Sequence, residues 1–221
     1  MRRALLVCLV AALGLSVLVA VPSAQPPARA STVAADPPPC TISAKLVNSC
    51  RPWLGSESGN YGVSGFRARM LEHEARIGRQ VDMVHAYLAA GAVALGPDMV
   101  LMAKRPDTIA LINWRVVSSW AQGDGRNLTV NAQIDAMAAN IKTLGTTKIM
   151  LTLYHEPESA LSNGGAPSCP TLTTNGTAGT TADYVNMWHN VRERFDAAGV
   201  TNVVWMMNYL GYPTSYCAAK D

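Results

Sequence analysis

The sequence predicts an α/β protein built on a parallel sheet, on three observations. Its strand-like segments, Val81-Asp-Met-Val-His85, Ile109-Ala-Leu-Ile112, Ile149-Met-Leu-Thr-Leu153 and Val203-Val-Trp-Met-Met207, are nearly continuous apolar runs. Such runs mark strands covered on both faces, as parallel sheets are. Stretches of helical period alternate with them, as repeated β/α units require. The connections after strands are long, notably Trp114 to Val130 and His155 to Thr180, whereas those after helices are short. Both an open doubly wound sheet and a closed barrel build their sites from such loops. No G-x-G-x-x-G follows the first strand, which argues against a dinucleotide-binding sheet.

The elements follow in order. Residues 51–56 form a short first strand. Residues 64–77 are helical, with Phe66, Met70, Leu71, Ala75 and Ile77 giving an apolar stripe, and Gly78 suits the C-terminal stop. Residues 81–87 are the second strand, 97–103 a weaker helix and 108–114 the third strand. A helix over 130–144 ends at Gly145, and the fourth strand covers 148–154. The helix over 181–198 has a start signal, because Thr180 can cap it while Asp183 reaches back, a variant of the capping box. Gly199 ends it, and 202–207 make the fifth strand.

The N-terminus reads as an export signal over residues 1–24, with cleavage as late as residue 30. Arg2 and Arg3 precede an unbroken apolar run from Ala4 to Val21, and small residues follow. A retained membrane anchor is the competing reading, since the run has about the length of a spanning helix. Residues 25–39, rich in Pro, Ala, Ser and Thr, are a linker, and the ordered domain is expected over 40–221. The protein is therefore expected to be secreted and, once cleaved, free of the membrane. Its formal net charge of +3 comes from scattered residues and gives no footprint for nucleic acid.

Cys8 falls in the signal. Cys40, Cys50, Cys169 and Cys217 remain, an even number that implies two disulfides in an exported chain. The expected pairs are Cys40–Cys50, which is local, and Cys169–Cys217, which would join the loops after strands four and five. No close C-x₂-C pair points to zinc, and neither metal nor cofactor is expected. Asn127-Leu-Thr and Asn175-Gly-Thr are glycosylation sequons, meaningful only in a host that glycosylates.

The sharpest chemical signal is Leu151-Thr-Leu-Tyr-His155-Glu156-Pro157-Glu158. A buried strand runs directly into His-Glu, and proline then forbids further ladder bonding. A carboxylate there can be partly desolvated, which raises its pKa and suits it to general acid catalysis. The plainer alternative is that Glu156 pairs with an arginine. The pair does not begin an H-E-x-x-H zinc site, because position 159 is serine and Pro157 is a poor helix interior. No G-x-S-x-G elbow supports an esterase.

His-Glu-Pro closing an apolar fourth strand resembles the acid/base motif of retaining glycoside hydrolases of family 26, β-mannanases and related β-glycanases. Tyr184-Val-Asn-Met-Trp188-His-Asn-Val-Arg192, continuing through Phe195 to Trp205, is similar to that family's fourth helix and fifth strand. Val81-Asp-Met-Val-His85-Ala-Tyr87 resembles its second strand. The resemblance covers about residues 53–212. It implies a (β/α)₈ barrel of the TIM type, here incomplete with about five β/α units, and a polysaccharide or oligosaccharide substrate. Glu156 would be the acid/base and His155 would bind beside the cleaved bond. Where that family often continues the pair with Asn-Gly and aromatics, Pro157-Glu158-Ser159 stands here.

Tyr87, Trp114 and Tyr154 near strand ends suit sugar stacking, since a flat apolar ring matches the C–H face of a pyranose. Trp120, Tyr209 and Tyr212 are further candidates, whereas Trp205 and Trp188 read as core. His85 on the second strand could also reach the site. The family's nucleophile comes from strand seven, and no residue here matches it. Glu57, Asp124 and Glu158 could each reach a barrel mouth but read first as solvated surface. The chain's length is used up in five strands where a barrel takes about 250 residues, so an inactive fragment is the expectation. The alternative is a secreted carbohydrate-binding or structural domain without catalysis.

Overall fold

The computed structural model describes residues 41–57, 65–161 and 176–209. The chain divides into two units, Met1–Pro39 and Cys40–Asp221, and all described residues lie in the second. The signal, the linker, Asn175 and Tyr212 lie outside the described residues, as do Cys40, Cys169 and Cys217. Cys50 is disulfide-bonded.

Among the described residues, five strands alternate with four helices: β1 (Gly55–Glu57), α1 (Phe66–Ile77), β2 (Met83–Leu88), α2 (Pro97–Ala103), β3 (Ile109–Trp114), α3 (Leu128–Lys142), β4 (Ile149–Leu153), α4 (Thr181–Ala197) and β5 (Val203–Met206). The sheet is parallel throughout, in the order β1-β2-β3-β4-β5. Each strand pairs with its sequence neighbour, which is barrel winding. A doubly wound sheet would reverse its strand order at a switch point.

Local chemistry explains the element ends. Asn127 caps α3, its side chain accepting from the amides of Thr129 and Val130. That cap starts the helix two residues before the apolar pattern at Val130 does. Thr180 and Asp183 form the full reciprocal capping box on α4, and Gly78 ends α1 in the left-handed conformation that favours glycine. Two 3₁₀ turns, Trp120–Gly123 and Pro157–Ala160, lie in the long loops after β3 and β4.

The core lies between the sheet and its helices. Val84, Ala86, Ile112, Trp114, Leu151 and Leu153 project from the strands to meet Phe66 and Met70 of α1, Met102 of α2, Ile134 and Met137 of α3, and Phe195 of α4, all buried. Each large side chain contributes about 1.5–3 kcal/mol by leaving water.

The N-terminal end of the sheet is closed by ion pairs. Arg51 donates two bonds to Asp82, of 2.6 and 2.7 Å, and the Leu54 amide adds a third of 2.9 Å. The Arg51 guanidinium is the main cause of an Asp82 pKa lowered to about 2, against the opposing effect of burial. Arg105 grips Glu74 with two bonds of 2.7 Å, and the Val81 amide adds 2.9 Å. Burial works against the Glu74 charge, but these bonds outweigh it and hold the pKa below the usual carboxylate range.

Candidate active site

Residues directly opposite in a parallel sheet share a face, and neighbours along a strand alternate. The register sets Glu57 beside His85, Tyr87 beside Asn113, and Asn113 beside Thr152. These five therefore share the face turned away from the helices. On β2 the alternation is visible directly: Met83, His85 and Tyr87 are half-buried, while Val84, Ala86 and Leu88 are buried against the helices.

At the end of β4 the backbone turns sharply. Tyr154 has φ 62° and Glu156 φ 50°, a left-handed conformation that costs an L-residue roughly 1–2 kcal/mol. Bonds from both sides impose it. The Tyr154 amide donates to the Trp114 carbonyl at 3.0 Å, and the Glu156 amide to the Asn208 carbonyl at 2.7 Å. Beyond them the Ser159 amide and hydroxyl both donate to the Glu156 carbonyl, at 3.1 and 2.8 Å. Pro157 is buried at the start of the 3₁₀ turn. Residues forced into left-handed backbone by their surroundings cluster where function needs a fixed side chain.

The kink sets the three side chains apart. Tyr154 is buried, with its ring edge-on to Trp120 at 5.2 Å and the Arg115 guanidinium 5.0 Å from its centroid. His155 meets Tyr87 edge-on at 4.8 Å, and Tyr87 in turn lies 4.5 Å from the His85 ring. Glu156 is half-buried, and among the described residues no arginine or lysine pairs with its carboxylate. Burial lowers the pKa of His155, with Glu156 opposing and Arg115 reinforcing. Burial also lowers that of His85, with Glu57 opposing and His155 reinforcing. Both rings are thus poised to be neutral near pH 7, free to donate from one nitrogen and accept at the other.

The structure brings the rings of His85, Tyr87 and His155 together, with Glu156 next to His155 along the chain, and separates Trp114 from them. Trp114 is wholly buried on the helix side, 6.2 Å from the Phe195 ring of α4. Its neighbour Asn113 occupies the inner face, so alternation sends Trp114 outward, to a core position instead of a sugar platform. Tyr154 stands between the two groups, at the site by sequence but packed beneath it on Trp120. Trp120 is itself buried, contacting Tyr184 at 4.9 Å. Trp205 and Trp188 of α4 pack together at 5.8 Å, both half-buried against the core. Tyr209 is 52% exposed.

Asp124 is ion-paired with Arg126, which lowers its pKa. Glu158 lies in the 3₁₀ turn, and Glu57 is the last residue of β1. Asn113 and Thr152 are site residues that sequence reasoning missed. A polar residue inside an otherwise apolar strand was the signal that could have found each. Among the described residues no group of three or more His, Cys, Asp or Glu is arranged to hold a metal ion.

No family model and no curated protein sequence matches the chain. Solved structures do match. A ruminal endo-β-1,4-mannanase of glycoside hydrolase family 26 superposes with a TM-score of 0.53 at 14% identity, over 74% of this chain and 42% of that one. An endo-β-mannanase/endo-β-glucanase from Prevotella bryantii superposes with a TM-score of 0.50 at 12% identity, over 73% of this chain and 29% of that one. This chain thus spans less than half the length of either. With the parallel order of the sheet, these neighbours show that the described domain has a fold like that of the family 26 glycoside hydrolase barrel, over five of its strands and the four helices between them.

Proposed function

We propose that this protein is a secreted glycoside hydrolase acting on β-mannan or a related β-glycan, with Glu156 as its general acid/base. One observation carries the reading: the strained Tyr154-His155-Glu156 corner holds a carboxylate without a cationic partner among the described residues, next to His155, whose ring joins those of Tyr87 and His85. Active sites of this architecture lie at the C-terminal ends of strands. The neighbours named as mannanases supply the substrate class.

Glu156 would protonate the departing glycosidic oxygen and then take a proton from the attacking water. His155 and His85, both favoured in the neutral form, can hydrogen-bond sugar hydroxyls in either sense. Tyr87 offers a ring face for stacking. A retaining mechanism needs a second carboxylate about 5–5.5 Å from the first, and we assign that role to no residue of this chain. We further infer export through the N-terminal segment and the pairings Cys40–Cys50 and Cys169–Cys217.

The test is reducing-sugar release from β-1,4-mannan, β-glucan and xylan, alongside calorimetric titration with manno-oligosaccharides. In an active form of the protein, one that has the second carboxylate, Glu156→Gln should cost about 10²–10⁴-fold in turnover, the usual worth of positioned acid catalysis. Equal turnover by wild type and variant would refute the assignment. Binding with no turnover in either would favour the second reading, a carbohydrate-binding domain without catalysis. Neither binding nor turnover would end both.

A further inference from the structure

His85 is flanked from both neighbouring strands. From β1, Glu57 lies directly opposite it in the register. From β3, the Asn113 side chain meets it, with Nδ2 2.7 Å from His85 Nε2. Asn113 is buried to 1% exposure, and Thr152, its register neighbour on β4, to 0%. Asn113 Oδ1 and Thr152 Oγ1 are both buried without a hydrogen-bond partner among the described residues. A buried asparagine is normally fully bonded, so a pair of open acceptors beside a histidine calls for an explanation. One bridging water, or one hydroxyl of a bound ligand, would satisfy both.

We propose that Glu57 and Asn113 are positioning residues, which from either side of β2 fix the tautomer and ring orientation of His85 and, through the Tyr87 ring, the orientation of His155. An amide nitrogen can only donate, so Asn113 Nδ2 makes His85 Nε2 the acceptor and leaves the ring proton on Nδ1. A carboxylate on the other side of the strand favours a ring that presents N–H. A neighbouring acceptor of this kind is the usual means by which a functional histidine is locked into one tautomer. The fixed ring lies 4.5 Å from Tyr87, and Tyr87 lies 4.8 Å from His155, so the order imposed on β2 extends to the corner beside Glu156. The titratable and charged groups acting on His85 are Glu57 from β1, Tyr87 on its own strand, and His155 from the β4 corner, with Arg115 acting in turn on His155. The role in catalysis rests on the glycosidase reading, whereas the hydrogen bonding does not.

The test is nitrogen NMR of the four histidine rings, His73, His85, His155 and His189, in the full chain labelled with ¹⁵N-histidine. Wild type should show His85 neutral at pH 7, protonated at Nδ1 and bare at Nε2. Glu57→Gln removes the charge that favours the protonated ring, so the His85 midpoint should fall. Asn113→Asp puts a carboxylate at Nε2, so the midpoint should rise by about 1 unit or more, with the proton drawn to Nε2. His73 and His189, on α1 and α4, report whether each variant is folded, and the variant that is folded decides. A His85 midpoint and tautomer unchanged in a folded variant would overturn the proposal. If the shifts occur but Glu156→Gln leaves the turnover of an active form unchanged, the relay stands and the enzymatic reading fails. If turnover is lost in Glu156→Gln but His85 does not respond to Glu57→Gln, the reverse holds. In an active form, Glu57→Gln should also move the acid limb of the pH profile, which a purely structural role would not.

Discussion

Carboxylates meet opposite treatment at the two ends of this sheet. At the N-terminal end, Asp82 and Glu74 each receive a two-pronged arginine and a backbone amide. Their charges are satisfied, and the bonds tie α1, β1, β2 and the approach to β3 together. At the C-terminal end, Glu156 has no such partner among the described residues, stands on left-handed backbone and adjoins His155, whose pKa is lowered by burial. The first arrangement minimises free energy. The second carries backbone strain and leaves its carboxylate without a charge partner among the described residues. A residue's chemistry is therefore read from the end of the strand it occupies as much as from its type.

The contrast is sharpest in a crossed pair of variants. In an active form, Glu156→Gln should cost about 10²–10⁴-fold in turnover while leaving the urea midpoint almost unmoved. Asp82→Asn should do the reverse, losing about 1.5–3 kcal/mol of stability with its charge-assisted bonds and keeping activity per folded molecule. If Glu156→Gln unfolds the protein, the two ends do not differ in the way argued.

Trp114 and Tyr87 extend the comparison to the two faces. Trp114→Ala opens a cavity against Phe195 and should destabilise by about 3–5 kcal/mol. Tyr87→Ala should cost far less stability but weaken oligosaccharide binding, by about 0.5–1.5 kcal/mol if one stacking contact is lost. Thermal melts and calorimetric titration of both variants would show whether the faces divide these roles.

Asp82 also gives a pH dependence. Its pKa is lowered to about 2 in the folded protein, below the roughly 3.9 of an unfolded aspartate. Its contribution is complete above the unfolded value and is lost as pH falls through about 2. Urea midpoints taken from pH 6 down to pH 2 should fall more steeply for wild type than for Asp82→Asn. The smallest effect concerns the corner. Glu156→Gly removes the penalty of φ 50°, roughly 1–2 kcal/mol, but adds backbone freedom to the unfolded chain, roughly 0.5–1 kcal/mol. A net gain of about 0.5 kcal/mol, with activity lost, would show that the corner's strain serves function.

The order of elements and most of their centres were legible because strands and helices differ in period, and because Gly78 and the Thr180–Asp183 pair mark ends by mechanism. The four-residue error of the first strand's start has a physical cause: residues 51–54 are held by Asp82 rather than by a ladder, and no local pattern announces that bond. The His-Glu corner was legible because proline stops a strand. The side of Trp114 was missed because β3 is apolar on both faces, which erases the alternation. Asn113 was the one cue to its parity. The partnership of Glu57 with His85 was also hidden, since it depends on register between strands, which composition does not encode.

The strict order β1-β2-β3-β4-β5 bears on how the chain reaches this state. Every new strand pairs with the one synthesised just before it, so the sheet can be laid down in the direction of synthesis without waiting for a distant partner. Entropy of loop closure rises with length, and the β4–β5 pairing encloses the longest loop together with α4. That step should close last. Until it does, the Glu156 amide lacks the Asn208 carbonyl that holds it in place, so the Tyr154–Glu156 corner would be the final part of this domain to take shape.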